Sequence, residues 1–304
     1  MWAIRSQFGE CSCVSVAQRL GRDGHVDGRI IVELYVIAII LGLVEGVTEF
    51  LPVSSTGHLI LAGHLLHFTS EKAKVFEIVI QTGAMCAIVW EYRVRFATLA
   101  TGIVRDAKAQ GFVLQLAIAF LPAAIVGLLA GDRIKEHLFN PIAVALALIV
   151  GGLVMYWAER RQPQVRVPEV GDMTWRDALK IGCAQCLALI PGTSRAAATI
   201  VGGLLFGLSR RAATEFSFFL AVPTLLAAGA YDLFQHRDLL SRADIGWFAV
   251  GTLVAFASAL VCVRWLLRFI SSHDFTAFAA YRIAFGVLVL VTAATGLVSW
   301  TADD

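Results

Sequence analysis

The stretch LGLVEGVTEFLPVSSTGHLIL, residues 41–61, decides how the rest of this chain is interpreted. It is as apolar as a membrane segment, yet it carries Glu45 and Glu49 and is interrupted by Pro52. A charged side chain at the centre of a bilayer helix costs about 2.5–3.5 kcal/mol on insertion scales, so a cation or an internal partner must offset that cost. We therefore expect these carboxyl groups to face a site inside the protein.

A second stretch of the same design lies at 181–208, with the sequence IGCAQCLALIPGTSRAAATIVGGLLFGL and a single cation, Arg195. PVSS at 52–55 aligns with PGTS at 191–194, an offset of 139 residues, and Glu77 aligns loosely with Glu215. A repeated broken segment predicts two halves of similar construction, whose interrupted helices meet near the middle of a membrane.

The composition places the chain in a membrane. Of its 304 residues, 58% are hydrophobic and 16% are charged, whereas soluble domains carry about 25% charged residues. The mean hydropathy is +0.74. The net charge of +2 gives no reason to expect a nucleic-acid partner. The sequence thus predicts an integral membrane protein.

Six continuous apolar runs are long enough, or nearly so, to cross a bilayer, which takes about 20 residues. They lie at 75–90, 112–130, 141–157, 213–234, 245–262 and 279–300. The broken stretches 34–68 and 175–208 are too long for one crossing, and each half is marginal for a crossing of its own. We predict an all-α integral membrane protein with an inverted-topology repeat, six transmembrane helices and two re-entrant helical hairpins. The alternative is that each broken stretch is an ordinary helical hairpin and that the similarity between the two stretches arose by chance.

This arrangement divides the chain into four parts. Residues 1–33 form an N-terminal tail that we expect to be disordered, 34–158 the first repeat, 159–174 a cytoplasmic linker, and 175–300 the second, inverted repeat. The positive-inside rule supports the topology. Thirteen Lys and Arg residues fall on the predicted cytoplasmic side and six on the other, whereas the arginines of the tail run against the rule.

The carboxyl pair and the helix starts predict the chemistry. Glu45 and Glu49 share one helix face at spacing i, i+4, where like charges favour a cation such as Mg²⁺, which prefers carboxylate oxygens and substrate phosphates. A proton-sharing carboxyl pair in a transporter is the alternative. The N-terminus of a helix attracts phosphate. The sequence predicts one helix start at Ser54, Ser55 and Thr56, and a second at Thr193 and Ser194, which Arg195 follows. Simple helix capping is the structural alternative for the serines.

His58 follows Ser55 by three residues, so both would lie on one face of a regular helix. That spacing permits a hydroxyl nucleophile activated by an imidazole, or a histidine that acts as nucleophile itself. Cys183 and Cys186 form a CxxC pair, which is a redox or metal pattern. No second pair or neighbouring histidine accompanies them, so we expect packing roles for both.

VEGVTEFLPVSSTGH and PGTSRAAAT resemble the two signature motifs of the undecaprenyl-diphosphate phosphatase family, also called the bacitracin-resistance family. The resemblance extends over about residues 34–300. It implies a metal-dependent membrane enzyme that hydrolyses undecaprenyl diphosphate to undecaprenyl phosphate and inorganic phosphate. This recycles the lipid carrier of peptidoglycan synthesis, supports cell-wall biogenesis and cell shape, and gives bacitracin resistance. The implied location is the bacterial inner membrane, with the site open to the periplasm.

The resemblance also implies site residues. The catalytic residues would be Glu49, Ser55 and His58, with Glu45 and Glu49 at the metal. The metal would be Mg²⁺, with Ca²⁺ as the alternative. The substrate-binding residues would be Ser54, Thr56, Ser194, Arg195 and Thr199. The serine that the family has after the arginine is Ala196 here, so that position receives no role.

The rival function is a membrane carrier or flippase for an anionic lipid, which could use the same half-helices and carboxylates. Ser55, His58 and Arg195 favour the phosphatase, because a carrier does not need them. The partners that we expect are a long-chain prenyl diphosphate and the bilayer, with a homodimer as one option for the oligomeric state. The sequence does not distinguish Ser55, His58 and water as the nucleophile.

Overall fold

The structure is a computed structural model that describes residues 28–161 and 164–298, apart from the side chains of a few residues. This part of the chain forms eleven α-helices: α1 (Gly28–Thr48), α2 (Ser55–Leu65), α3 (Glu71–Glu91), α4 (Arg93–Gly102), α5 (Ala107–Leu138), α6 (Pro141–Arg161), α7 (Trp175–Gln185), α8 (Arg195–Leu205), α9 (Arg210–Gln235), α10 (Ile245–Phe269) and α11 (Thr276–Ala294). Within these ranges the only β-type pairing is an isolated bridge between Val167 and Leu208. Residues 1–27 of the predicted tail 1–33 lie outside the described residues, and residues 28–33 belong to α1.

Seven of the described helices are long and apolar enough to cross a membrane: α1, α3, α5, α6, α9, α10 and α11. The all-α, multi-pass membrane class is thereby confirmed. The six predicted runs coincide with six of these helices, and α1 is the seventh. Pro122 and Pro223 lie inside α5 and α9, where neighbouring helices make such interruptions tolerable.

The first helix is longer than the sequence analysis expected. It begins at Gly28, six residues before the expected start at 34, and runs for 21 residues. That length is sufficient to cross a bilayer, so α1 is longer than the marginal half that we expected before Pro52. The matching helix of the second stretch, α7, has only 11 residues and is followed by a 3₁₀ turn, Cys186–Leu189.

The two broken stretches contain a local unit with the same backbone pattern. Helices α2 and α8 have 11 residues each, and the residue before each helix has a positive φ, 75° at Ser54 and 68° at Ser194. Both helices end in the same backbone hydrogen bonds: Leu66 N to Ala62 O and Phe68 N to Gly63 O in the first, Phe206 N to Gly202 O and Leu208 N to Gly203 O in the second. Equivalent residues are 140 apart, since 194 − 54 = 140. The alignment by prolines, with its offset of 139, was therefore one residue out of register at the helix starts.

Close helix packing fixes α1, which carries Glu45. It packs extensively against α10, and α6 packs in the same way against α11. A Cβ on Gly42 would lie 2.5 Å from Gly251 O, and one on Gly46 would lie 2.4 Å from Ala255 O. Only glycine at these two positions permits such an approach of the two backbones.

Phe50 anchors the turn that follows α1. Its side chain is fully buried, and its ring meets Phe218 of α9 edge-on, with the centroids 5.5 Å apart. This geometry is favourable for an aromatic pair. The contact brings the first turn next to the part of α9 that contains Ser217.

Candidate active site

The carboxylate of Glu49 joins the two broken stretches. Glu49 follows the last residue of α1, and its carboxylate accepts a hydrogen bond from Ser55 Oγ at 2.6 Å on Oε2. Its other oxygen, Oε1, accepts from Nη2 of Arg195 at 3.2 Å. The Glu49 and Arg195 side chains are only 6% and 8% exposed. Three of the predicted site residues are thus brought together across 146 positions of the chain.

Ser217 holds the guanidinium of Arg195 in place. Nη1 of Arg195 donates to the carbonyl oxygen of Ser217 at 2.9 Å and to its hydroxyl at 3.1 Å. Nε of Arg195 is buried without a partner in the described structure. Because each guanidinium donor has a fixed direction, these contacts determine which edge of Arg195 remains available to a ligand. Ser217 lies within the predicted apolar run 213–234, and the sequence analysis gave it no role.

Thr199 lies behind Arg195 and not at an accessible surface. Its side chain is fully buried, and its hydroxyl lies 2.9 Å from the carbonyl oxygen of Arg195 and 2.7 Å from Ser217 Oγ. A ligand cannot touch this hydroxyl without a rearrangement of α8. The predicted direct contact of Thr199 with substrate is therefore corrected to a supporting contact with the residues around Arg195.

Glu45 is buried, at 1% exposure, and neither of its carboxylate oxygens has a hydrogen-bond partner in the described structure. A buried ionised carboxylate without a partner is strongly unfavourable. The group therefore requires a proton or a cation. Within the described residues no set of three or more His, Cys, Asp or Glu side chains is placed to hold a metal ion. The available donors are the carboxylates of Glu45 and Glu49. Two carboxylates fit Mg²⁺, which is often held by one or two carboxylates together with water and substrate phosphates, and they do not form a closed protein cage.

The helix starts at α2 and α8 differ in how their serines are used. Ser194 accepts a hydrogen bond from Ala197 N and so caps α8, whereas Ser54 makes no side-chain cap. Ser54 is buried at 2% exposure, while Thr56 is exposed. Simple capping therefore accounts for the side chain of Ser194 in this structure. The first N–H groups of both helices remain available to an anion.

The structure pairs His58 with residues other than Ser55. Its Nδ1 lies 2.7 Å from the carbonyl oxygen of Ser54, and its Nε2 lies 2.6 Å from the Tyr281 hydroxyl. The ring also stacks on Phe285, with the centroids 4.1 Å apart. Because a carbonyl oxygen can only accept, Nδ1 carries a hydrogen. The expected Ser55–His58 pair does not form here, and the Ser55 hydroxyl donates to Glu49.

Tyr281 and Arg282 are two further site residues that the sequence analysis missed. Arg282 is fully buried in α11 and donates to the carbonyl oxygens of Pro52, Ala147 and Gly192 at 3.1, 3.1 and 3.2 Å. An arginine in the last apolar run was the available signal, because a charge in a membrane segment indicates function by default. No local pattern could have identified Tyr281, which lies 223 positions from His58.

Neither cysteine of the CxxC pair belongs to a group of three or more possible metal ligands among the described residues. Cys183 and Cys186 are free thiols, and Cys186 Sγ lies 3.6 Å from Gly182 O. Cys183 is exposed, so it does not have the buried packing role that we expected for both cysteines.

Comparison with known proteins connects this site to a family. Residues 38–288 match the family described as bacitracin resistance protein BacA. The chain is similar to the undecaprenyl-diphosphatase of Dechloromonas aromatica (strain RCB), with 60% identity over 88% of this chain and 97% of that protein. It is 64% identical to undecaprenyl-diphosphatase 2 of Rhodospirillum rubrum over 87% of this chain and 97% of that protein. The undecaprenyl-diphosphatase of Methylibium petroleiphilum is 59% identical over 88% and 98%, respectively.

Proposed function

The chain belongs to the bacitracin resistance protein BacA family, and we propose how its site hydrolyses undecaprenyl diphosphate to undecaprenyl phosphate and inorganic phosphate. The protein is a multi-pass membrane phosphatase. Its reaction returns the lipid carrier to peptidoglycan synthesis and accounts for bacitracin resistance. The carrier or flippase alternative is not favoured by the relatives, which are named as diphosphatases.

The contacts of Glu49 carry the mechanism. One oxygen of this carboxylate accepts the Ser55 hydroxyl and the other contacts Arg195. A hydroxyl bonded to a carboxylate is poised to lose its proton as it attacks, and a neighbouring guanidinium offsets the charge of phosphate oxygens. The Glu49 carboxylate is therefore placed to act as the base for the Ser55 hydroxyl, and it also holds the guanidinium of Arg195.

The reaction proceeds in two displacements. In the first, Ser55 Oγ forms a bond to the terminal phosphorus, its proton passes to Glu49, and the bond from phosphorus to the bridging oxygen breaks to release undecaprenyl phosphate. In the second, water attacks the phosphoserine and the bond from phosphorus to Oγ breaks. Ser55 recovers the proton from Glu49, and inorganic phosphate leaves with both hydrogen atoms of the water.

Binding of the diphosphate falls to the two helix starts and to Arg195. The substrate replaces Glu49 at Nη2 of Arg195, while Ser217 keeps the other end of the guanidinium fixed. Backbone N–H groups at the starts of α2 and α8 bind the remaining phosphate oxygens, together with Thr56 and Ser194. His58 is held at Nδ1 by Ser54. In its protonated form, once Tyr281 has released it, the imidazolium donates a hydrogen bond from Nε2 to the departing phosphate.

Glu45 and Glu49 would hold a divalent cation, with Mg²⁺ as the expected ion and Ca²⁺ as the alternative. Such an ion supplies charge neutralisation at the phosphate oxygens. The buried, unpartnered carboxylate of Glu45 supports this assignment. Oε2 of Glu49 keeps the Ser55 hydroxyl, so Glu49 can act as the base while Oε1, which leaves Arg195 when substrate binds, would face the ion.

The membrane arrangement that we propose is an inverted repeat with the two turns re-entrant and the site open to the periplasm. The common backbone of the α2 and α8 units, 140 residues apart, supports the repeat. The excess of Lys and Arg on one side supports the orientation in the inner membrane. The prenyl chain would lie between helices at the lipid boundary. A homodimer stays a prediction.

Phosphate release from a long-chain prenyl diphosphate, by purified protein in detergent with Mg²⁺ or with a chelator, tests the proposal. We expect release that depends on the metal and is lost in Ser55→Ala. Ser271→Ala, at an exposed hydroxyl bonded to Arg268 O, is the matched control and should retain activity. No release by folded wild-type protein, with prenyl diphosphate crossing sealed vesicles instead, would support the carrier.

A further inference from the structure

Arg282 is a cation buried without a carboxylate. Its side chain is fully buried, and within the described part of the chain it forms no ion pair. Its partners are three backbone carbonyl groups from three separate segments: Pro52 in the first turn, Gly192 in the second turn and Ala147 in α6. A buried charge is unfavourable unless its hydrogen-bonding groups are satisfied, so this position is a costly one for an arginine that merely fills space.

The carbonyl groups of the two turns require such a donor. Neither the Pro52 nor the Gly192 carbonyl accepts a backbone hydrogen bond in the described structure. Non-helical backbone among membrane helices must find its partners inside the protein, because lipid offers none. One planar guanidinium with several donors in fixed directions satisfies both carbonyls at once. The distance between the two turns is thereby tied to the geometry of a single side chain.

The helix next to α11 leaves room for this guanidinium. A Cβ on Gly151 of α6 would lie 2.5 Å from Nη2 of Arg282, and one on Gly152 would lie 2.8 Å from the carbonyl oxygen of Ala279. Larger residues at either glycine would therefore displace the arginine or separate α6 from α11. A substitution of Gly151 by alanine would therefore displace the Arg282 guanidinium without removing its charge.

We propose that Arg282 is a positioning residue that holds the first turn, with Glu49 and Ser55, in register with the second turn, with Ser194 and Arg195. The inference rests on the proposed diphosphate hydrolysis. Arg282 donates only to backbone carbonyl groups, so it acts through the turns and does not touch the reacting atoms. Misplacement of reacting groups by about 1 Å can lower a rate about 100-fold.

Steady-state kinetics of Arg282→Met provides the first test. Each turn keeps its own binding groups in this variant, so KM should change little. The alignment of the two turns matters in the transition state, so kcat should fall by about 100-fold. Arg282→Lys keeps a donor and should recover part of kcat. Val289→Ala, a fully buried position of the same helix, is the matched control and should lower thermal stability while it leaves kcat near the wild-type value.

Hydrogen–deuterium exchange supplies a readout that does not depend on activity. In Arg282→Met, exchange should accelerate in both turns, at 49–56 and 190–196, with little change in the rest of α11. Acceleration confined to α11 would indicate a local packing role and overturn the proposal. Exchange in the turns can respond as expected even if wild-type protein releases no phosphate, so failure of the proposed function is distinguishable from failure of this inference.

Gly151→Ala covers the case in which Arg282→Met does not fold. Alanine favours a helix more than glycine does, so a loss of kcat in this variant would come from the displaced guanidinium. We expect a fall in kcat of about tenfold, smaller than that of Arg282→Met because the charge remains. Full kcat in folded Gly151→Ala, or a loss in Val289→Ala equal to that in Arg282→Met, would overturn the proposal.

Discussion

The hydroxyl of Ser55 donates a hydrogen bond of 2.6 Å to Oε2 of Glu49, six residues earlier in the chain. The bond crosses the turn that separates α1 from α2. It places a carboxylate, and not the imidazole of His58, where it can take the hydroxyl proton. The chemistry of the site thus depends on the shape of the turn around Pro52.

Glu49→Gln should abolish most turnover without unfolding the protein. The amide keeps the size of the carboxylate and can still bond to Ser55, but it cannot accept a proton, so kcat should fall by about 100-fold or more. The measurement is kcat for phosphate release by protein that elutes as a single detergent-solubilised species.

Glu215→Gln is the control for the loss of one membrane-helix carboxylate. Glu215 pairs with Arg211 in α9 and lies outside the proposed site, so this variant should keep wild-type kcat. Near-normal kcat in Glu49→Gln would refute the assignment of Glu49 as the base.

Thr199→Val should weaken the grip of Arg195 on the diphosphate. Valine matches the shape of threonine but loses the hydroxyl that contacts Ser217 Oγ. Loss of one such hydrogen bond costs about 1 kcal/mol, which corresponds to about a fivefold rise in KM. The Ser217 carbonyl still fixes Nη1, so kcat should change less than KM.

The control for this prediction is Thr214→Val. Thr214 is also fully buried, but its hydroxyl bonds to Arg210 O, so its loss should leave KM unaltered. If Thr199→Val and Ser217→Ala raise KM additively in the double variant, the two hydroxyls do not act through one contact.

The sequence predicted the features of the fold that depend on local pattern. The apolar runs and the interruption at Pro52 follow from hydropathy, and the burial of Arg195 against a carboxylate follows from the cost of an unpaired charge in a membrane. The start of α1 was missed because residues 28–33 were assigned to the tail, although Ile30, Ile31 and Val32 are apolar.

Contacts between distant segments were not predictable from one sequence. The i, i+3 spacing of Ser55 and His58 suggested a pair, but Ser55 is the first residue of α2 and its side chain turns back to Glu49. Ser217, Tyr281 and Arg282 are brought to the site by helix packing, and no spacing rule connects them with residues of the first turn. Arg282 alone had a usable signal, as a cation within an apolar run.

The ion pair between Arg166 and Asp177, which lies outside the seven long apolar helices, predicts how the stability of the protein depends on pH. Burial acts to raise the pKa of Asp177, but hydrogen bonds from Arg166 and Thr174 outweigh it and lower that pKa below its usual value. A lowered folded-state pKa stabilises the protein above the unfolded-state pKa of about 3.9, and this contribution is lost as the pH falls through the folded-state value.

Asp177→Asn should therefore lower Tm at neutral pH, and the difference from wild type should shrink below about pH 4. Thermal unfolding in detergent, followed by intrinsic fluorescence from pH 7 to pH 3, measures this. Asp238→Asn, at an exposed position, is the control. A Tm difference between Asp177→Asn and wild type that is the same at every pH would contradict the prediction.

The contact between Tyr281 and His58 predicts a coupled effect on catalysis. Nδ1 of His58 donates to Ser54 O, so in the neutral ring Nε2 accepts the hydrogen of the Tyr281 hydroxyl at 2.6 Å. Tyr281→Phe removes that donor while it keeps the stacking on the ring. We expect kcat to fall by about fivefold, as for the loss of one neutral hydrogen bond, and we expect a larger loss in His58→Ala.

A double-mutant cycle with kcat as the readout distinguishes this coupling from two independent roles. If Tyr281 acts through His58, Tyr281→Phe should have little further effect in the His58→Ala background. Tyr231→Phe, whose exposed hydroxyl bonds only to Gln235 among the described residues, is the matched control and should not alter kcat. Equal losses from Tyr281→Phe in both backgrounds would mean that its hydroxyl acts independently of His58, and this would contradict the prediction.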